Sequence, residues 1–192
     1  MAPNIPDPLS ARHSALPDVL PDIFKVQVQE YAVTVAAAAT AQGIQLPELP
    51  EKTDIVWACS DWLPEQCVRY PQMLDDLLRS GDLLRAYLPG EYRNQCVAAL
   101  SHINDEHALG AALRHATRRE KVRIAWRDLA GWADLDETLR ELSWLAEACL
   151  DTALQRLHEW LCTEHGMARG SSNNTPQHLV CLLYTSPSPR DS

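Results

Sequence analysis

The stretch 134-DLDETLRELSWLAEACLDTALQRLHEWLCTEHG-166 decides the fold. Leu135, Leu139, Leu142, Ala146, Cys149, Ala153, Leu157 and Trp160 recur at steps of three and four, the spacing of one helical face. Leu145, Leu150, Leu154 and Leu161 widen that face. Asp134 with Glu137 three residues later forms a capping-box start, and Gly166 stands where a left-handed C′ residue ends a helix. At 1.5 Å per residue the helix is about 48 Å long. The expectation is a helix buried along much of its length, built to brace something beyond a compact domain of this size.

Working outward, residues 105–130 read as a second long helix, interrupted only by Gly110. The short Gly131–Ala133 corner makes the two an antiparallel hairpin. Upstream the pattern is shorter and more broken. A helix is expected from Asp22 to about Gln42, stopped by Gly43, and the segment around Pro47 and Pro50 is a linker. Residues 54–63 read as one helix, with Glu65–Arg69 and Gln72–Arg79 as short helices opened by Pro64 and Pro71. Ser80-Gly81-Asp82 is a turn, and Gly90–Ile103 a helix with Cys96, Val97 and Leu100 inward. Five prolines in residues 1–21 leave a flexible arm. The fold class is therefore all-α: several short helices followed by a long hairpin over residues 22–166. Residues 167–180 form a polar linker that turns apolar at His178-Leu179-Val180, as at the start of a strand.

Composition agrees with this reading. The 192 residues are 46% hydrophobic and 22% charged, with 7 Gly and 1 Phe, which favours helix over sheet. A net charge of −9 argues against a nucleic-acid partner. No apolar run reaches the length of a membrane span, and the N-terminus lacks a basic region followed by an apolar core, so a cytoplasmic address is expected. Cys59, Cys96, Cys149 and Cys162 lie in helical patterns and read as small buried hydrophobes in a reducing compartment.

Three constellations invite a functional reading. Arg119, Arg123 and Arg127 stand four apart on one helix face, flanked by Arg118, Lys121 and Asp128. A guanidinium row can receive a phosphate, but spacing alone favours a solvated or salt-bridged face with Glu120 and Asp128 as local partners. Cys162-x-x-His165 and His178-x-x-Cys181 approach the spacing of a zinc site, yet depart from the usual ligand order, so no metal site is assigned. Trp57, Trp62, Trp126, Trp132, Trp144 and Trp160 read as packing residues. No Gly-rich phosphate loop and no G-x-S-x-G is present. The Asn173-Asn174-Thr175 sequon carries no weight in a cytosolic chain.

Three blocks in order resemble the bacterial bifunctional glutamine synthetase adenylyltransferases and adenylyl-removing enzymes: VWACSDWLPEQCVRYPQMLDDLLRSGDL at 56–83, LRHATRREKVRIAWRDLAGWADLDETLRELSWLAEACLDTAL at 113–154 and PQHLV at 176–180. The resemblance implies an N-terminal fragment of such an enzyme, whose parent domain is an α+β, polymerase-β-like nucleotidyltransferase. It also implies glutamine synthetase as protein substrate, a PII-type signalling protein as regulator, ATP, ADP and phosphate as small-molecule partners, and Mg²⁺ held by clustered carboxylates. In the family PQHLV leads into a Gly-rich loop and then the metal carboxylates. Here Val180 is followed by CLLYTSPSPRDS. Residues 181–192 are accordingly read as a non-native tail, the catalytic carboxylates as absent, and the fragment as inactive alone. The resemblance makes Arg123, Arg127 and Asp128 candidates for organising the site, with buried ion-pair architecture standing beside that role. The alternative function is a helical interaction module that docks glutamine synthetase or a PII-type regulator.

Overall fold

The computed structural model describes residues 21–172 and 174–177. The Pro-rich arm (bar Pro21), the apolar start at 178–180, His178, Cys181, the tail 181–192 and Asn173 of the sequon lie outside them. The described residues form seven helices: α1 (Asp22–Ala41), α2 (Thr53–Cys59), α3 (Trp62–Arg69), α4 (Pro71–Ser80), α5 (Glu91–Leu100), α6 (Glu106–Leu129) and α7 (Leu135–His165). A 3-10 turn spans Asp82–Leu84. No strand occurs among these residues, as the composition implied. The described residues divide into two units, one comprising those up to Tyr87 with Arg118–Leu142, the other Leu88–Thr117 with the described residues after Leu142.

The first unit is built around two indoles. Trp57 of α2 and Trp126 of α6 are both 0% exposed and meet edge to face, with ring centroids 6.1 Å apart. Val35, Val56, Leu63, Cys67, Met73, Leu74, Leu77, Leu83, Val122 and Ala130 complete this core. Burial pushes the Cys67 thiol up to about 12, so it packs as a hydrophobe.

Residues 54–63 do not form one helix. α2 stops at Cys59, Ser60 is extended (φ −156°, ψ 113°), and α3 begins at Trp62. Pro64 requires a helix start close before it, and Asp61 Oδ1 accepts hydrogen bonds from Gln27 Nε2 (2.8 Å) and Tyr31 Oη (2.9 Å) of α1, which ties the interruption to another helix. Pro64 then lies in the first turn of α3, and Pro71 opens α4. Cys59, expected to be buried, is exposed at this break.

The corner between α6 and α7 follows its sequence closely. Gly131 adopts φ +68°, and the Trp132 and Ala133 N–H groups return to the Arg127 carbonyl at 2.9 and 3.2 Å. Asp134 Oδ1 accepts from Glu137 N at 2.7 Å, the forward half of a capping box. The Glu137 carboxylate pairs instead with Arg127. Nothing lies within 4 Å of where a Cβ on Gly131 would sit, so Gly131→Ala adds backbone strain alone. The expected loss is ~1–2 kcal/mol, read from the midpoint of urea unfolding.

The exposure of α7 differs from the expected stripe. Within the first unit Leu135, Leu139 and Leu142 are 49%, 54% and 39% exposed, while Glu141 is the buried residue. Within the second unit Leu145, Ala148 and Thr152 point inward and Leu150 and Leu161 are exposed. The helix is therefore not buried along the leucine row. Its inward face is turned toward Glu141, whose burial an apolar count does not anticipate.

In the second unit, Tyr92, Cys96 and Leu100 are the buried face of α5, whereas Val97, expected inward, is 47% exposed. Asp105 caps α6 by accepting from Ala108 N at 2.8 Å. Gly166, at φ +82°, ends α7. The polar linker closes on itself, with Arg169 opposite Pro176 in an isolated antiparallel bridge.

Candidate functional site: an arginine ladder on α6

α6 carries arginine at every fourth position from 119 to 127, so the three guanidinium groups share one face. That face lies inside the first unit. Arg123 is 0% exposed and Arg127 3%, and only 14% of the Arg119 side chain is accessible.

Each arginine captures irregular backbone or a carboxylate. Arg123 Nε donates to the Asp82 carbonyl at 2.9 Å, Nη2 donates to the Arg85 carbonyl, and both terminal nitrogens donate to Glu141. Arg127 donates to the Leu83 carbonyl (3.3 Å), to Glu137 Oε1 (2.7 Å) and weakly to the Trp132 carbonyl (3.5 Å). Arg119 donates to Asp76 Oδ2 (2.6 Å), Asp82 Oδ2 (2.8 Å), Ser80 Oγ (3.2 Å), Tyr87 Oη (3.3 Å) and Glu120. The ladder thus holds segment 82–87, a 3-10 turn and the irregular residues after it, by three of its carbonyls. So short a turn pairs few of its own carbonyls, and an orphaned buried carbonyl is costly.

Tyr87 completes the arrangement. The Arg123 guanidinium lies 3.6 Å from its ring centroid and that of Arg85 4.6 Å, while its backbone N–H donates to Glu141 Oε1 at 3.0 Å. Glu141 is therefore charge partner to Arg123 and acceptor for the end of the clamped segment.

Asp128, the third of the sequence candidates, is exposed and accepts from Thr138 Oγ1 at 3.0 Å. Of the two local partners expected for the arginines, Glu120 does pair with Arg119, and the remaining carboxylates come from elsewhere in the chain. Arg118 stacks over Tyr70, 3.9 Å from its centroid, and Lys121 is exposed. Asp76, Asp82, Tyr87 and Glu141 carry no spacing signal in the sequence that would have assigned them to this cluster.

The electrostatics divide the carboxylates. Burial pushes the Asp82 carboxyl up, but hydrogen bonds from Arg119, Arg85 and Tyr87 and the Arg119 charge outweigh it and hold the group below its ordinary value. Burial dominates at Glu120 and raises it, against the attraction of Arg119 and Arg123. Glu120 Oε2 has no hydrogen-bond partner. Burial also works against the Arg119 charge, yet Glu120 and the bonds to Asp76, Asp82 and Tyr87 hold its pKa above normal.

These directions have opposite consequences. Stability contributed by Asp82 is present above its unfolded pKa and is lost as pH falls through the depressed folded pKa. Ionised Glu120 destabilises the fold, and that cost is relieved as pH falls through its raised folded pKa. Asp82→Asn is expected to cost ~1.5–3 kcal/mol near neutral pH through lost charged hydrogen bonds, with the difference shrinking on acidification. Glu120→Gln is expected to cost little near neutral pH. Urea unfolding at a series of pH values checks both.

Guanidinium groups do not deprotonate in proteins, so the ladder offers no general acid or base. Nor do its residues fit Mg²⁺: Asp76, Asp82, Glu120, Glu137 and Glu141 each face an arginine already. Among the described residues no three His, Cys, Asp or Glu side chains converge as a metal site requires. Cys162 lies 3.5 Å from His158 Nε2, and His165 is exposed. Among the described residues no helix is long and apolar enough to cross a membrane.

Fold and site together define an all-α segment whose buried arginines fasten irregular backbone to a long helix. The sequence profile of the glutamate-ammonia ligase adenylyltransferases matches residues 51–185, a span that runs past Val180, and the chain belongs to that family. Its relatives include proteins named bifunctional glutamine synthetase adenylyltransferase/adenylyl-removing enzyme. That of Nitrosococcus oceani is 48% identical over 67% of this chain and 13% of its own length. That of Pseudomonas aeruginosa is 43% identical over 77% of this chain and 16% of its own, and that of Thioalkalivibrio sulfidiphilus 38% identical over 86% and 17%. The chain therefore spans about 13–17% of the length of these curated relatives.

Proposed function

We propose that the chain is the helical N-terminal part of a cytoplasmic enzyme that attaches AMP to glutamine synthetase and removes it, and that it supplies architecture rather than reacting groups. The family match over residues 51–185 carries the first half of this reading. The second rests on the α6 ladder, whose guanidinium groups are turned onto carbonyls and carboxylates of the chain itself. Arg123 and Arg127 are then positioning residues that fix segment 82–87, and Asp128 joins α6 to the first turns of α7 through Thr138. ATP, ADP, phosphate, Mg²⁺ and a PII-type regulator belong, on this reading, to the longer protein.

The test is direct. The purified chain is incubated with adenylylated glutamine synthetase, Mg²⁺, phosphate and uridylylated PII protein, and ADP release is followed. No release above background is expected. Turnover that co-purifies with the chain and persists in independent preparations overturns the reading.

A second reading, a docking module, has one observation in its favour: the exposed Leu135, Leu139 and Leu142 on one face of α7. It predicts a saturable affinity for glutamine synthetase or PII protein that Leu139→Glu abolishes without unfolding the chain. Binding unchanged by that substitution removes this role from the row.

A further inference from the structure

The cysteines of this chain fall into different environments. Cys59 is exposed, and Cys67 is sealed in the first unit's core. In the second unit Cys96 of α5 and Cys149 of α7 face each other with their Sγ atoms 3.8 Å apart. A disulfide needs about 2.05 Å, so the remaining gap is on the scale of small side-chain rotations. The two thiols are unequal. Cys96 is 3% exposed, whereas Cys149 is half-buried and so the more accessible of the two residues. Thr117 Oγ1 lies 3.6 Å from Cys149 Sγ, where its hydroxyl can donate to a developing thiolate.

We propose that Cys96 and Cys149 form a reversible oxidation site that closes to an intramolecular disulfide when the protein meets hydrogen peroxide. The Cys149 thiolate attacks one peroxide oxygen, the O–O bond breaks, and the departing hydroxide takes up a proton as water, leaving a sulfenic acid. The Cys96 sulfur, losing its proton, then attacks the sulfenic sulfur and expels the hydroxyl as a second water. Two thiols are oxidised by two electrons and one peroxide is reduced to two waters. An external dithiol reverses the reaction by exchange. The bond ties α5 to α7 across a sequence separation of 53, and closing a loop of that length restricts the unfolded chain. The oxidised protein is therefore the more stable form.

The full chain is treated with graded hydrogen peroxide, its remaining thiols are alkylated after denaturation, and peptides are mapped without reductant. The Cys96 and Cys149 peptides are expected as a linked species two hydrogens lighter than their sum. Its yield is expected to be independent of protein concentration, and dithiothreitol abolishes it. A rise in thermal midpoint accompanies it, absent in Cys149→Ser and in Cys96→Ser. Because peptide mapping of the unsubstituted chain needs no variant, misfolding of either serine form leaves the test intact. Quantitative alkylation of both cysteines at a peroxide dose that oxidises Cys59 overturns the proposal. So does arrest of Cys149 as a sulfinic acid, or cross-linking only between molecules.

Discussion

Replacing Arg123 by methionine is expected to lower the unfolding free energy by ~3–5 kcal/mol, the cost of breaking a buried ion pair from one side. Glu141 is 2% exposed and would be left with a buried charge facing a thioether. The Asp82 and Arg85 carbonyls would each lose a charged donor, although Arg85 N still reaches the Asp82 carbonyl at 3.4 Å, and the Tyr87 ring would lose the nearer of its two cations. Against an ordinary domain stability of ~5–15 kcal/mol such a loss is large. Arg123→Lys should recover only part of it, since one ammonium cannot reproduce a planar fork that serves two carbonyls and a carboxylate at once. The double substitution Arg123→Met/Glu141→Met removes the stranded charge and should therefore be less damaging than the sum of the single changes by more than ~1 kcal/mol. It should still fall short of the parent, because the carbonyls lose the guanidinium and the Tyr87 N–H loses the Glu141 carboxylate. Urea unfolding followed by circular dichroism measures all four proteins. Additive losses, or a loss under ~1 kcal/mol for Arg123→Met, would show that the ladder does not hold segment 82–87.

The same cluster shows why some of the molecule is legible in its sequence and some is not. The long helices, the Gly131 corner, the Asp134 cap and the Gly166 stop follow from signals within a few residues of where they act. The row Arg119, Arg123, Arg127 is legible as a row for the same reason. Its partners are not, because Asp82, Tyr87 and Glu141 come from sequence positions far from α6 and meet it only through tertiary packing. Glu141 also explains the misjudged exposure of α7. An apolar count assigns a glutamate to the solvent side, yet a guanidinium across the corner makes it the inward residue and leaves Leu139 and Leu142 outside. The break at Ser60 has a local origin instead: Pro64 is tolerated in a first turn but not four residues into a continuing helix, so a new helix starts at Trp62, and the bonds from Gln27 and Tyr31 to Asp61 fasten that start to α1. Local chemistry therefore locates the elements, and buried polar contacts between distant residues decide which faces they present.

The first unit's core should be most sensitive at Trp126, where Trp126→Ala is expected to cost ~3–5 kcal/mol. The indole is 0% exposed, and its edge-to-face contact with Trp57 adds ~0.5–1.5 kcal/mol beyond the area buried. Neither indole Nε1 has a hydrogen-bond partner in the structure, which makes the substitution unusually clean. Removing the ring severs no hydrogen bond to another protein group, so the loss is chiefly packing and cavity. Trp126→Phe retains an aromatic ring against Trp57 while discarding an N–H already unpaired, and it should lose less than half as much as the alanine form. Trp62, 40% exposed at the start of α3, supplies the contrast. Trp62→Ala should cost less than either change at 126, because its indole is already partly in water. The ranking alanine at 126, then phenylalanine at 126, then alanine at 62 is read from urea midpoints by far-UV circular dichroism, which does not depend on the tryptophans removed. Equal losses for the phenylalanine and alanine forms would mean that the indole N–H does find a partner in solution, such as a buried water, and that the core is held at that point by a hydrogen bond as well as by packing.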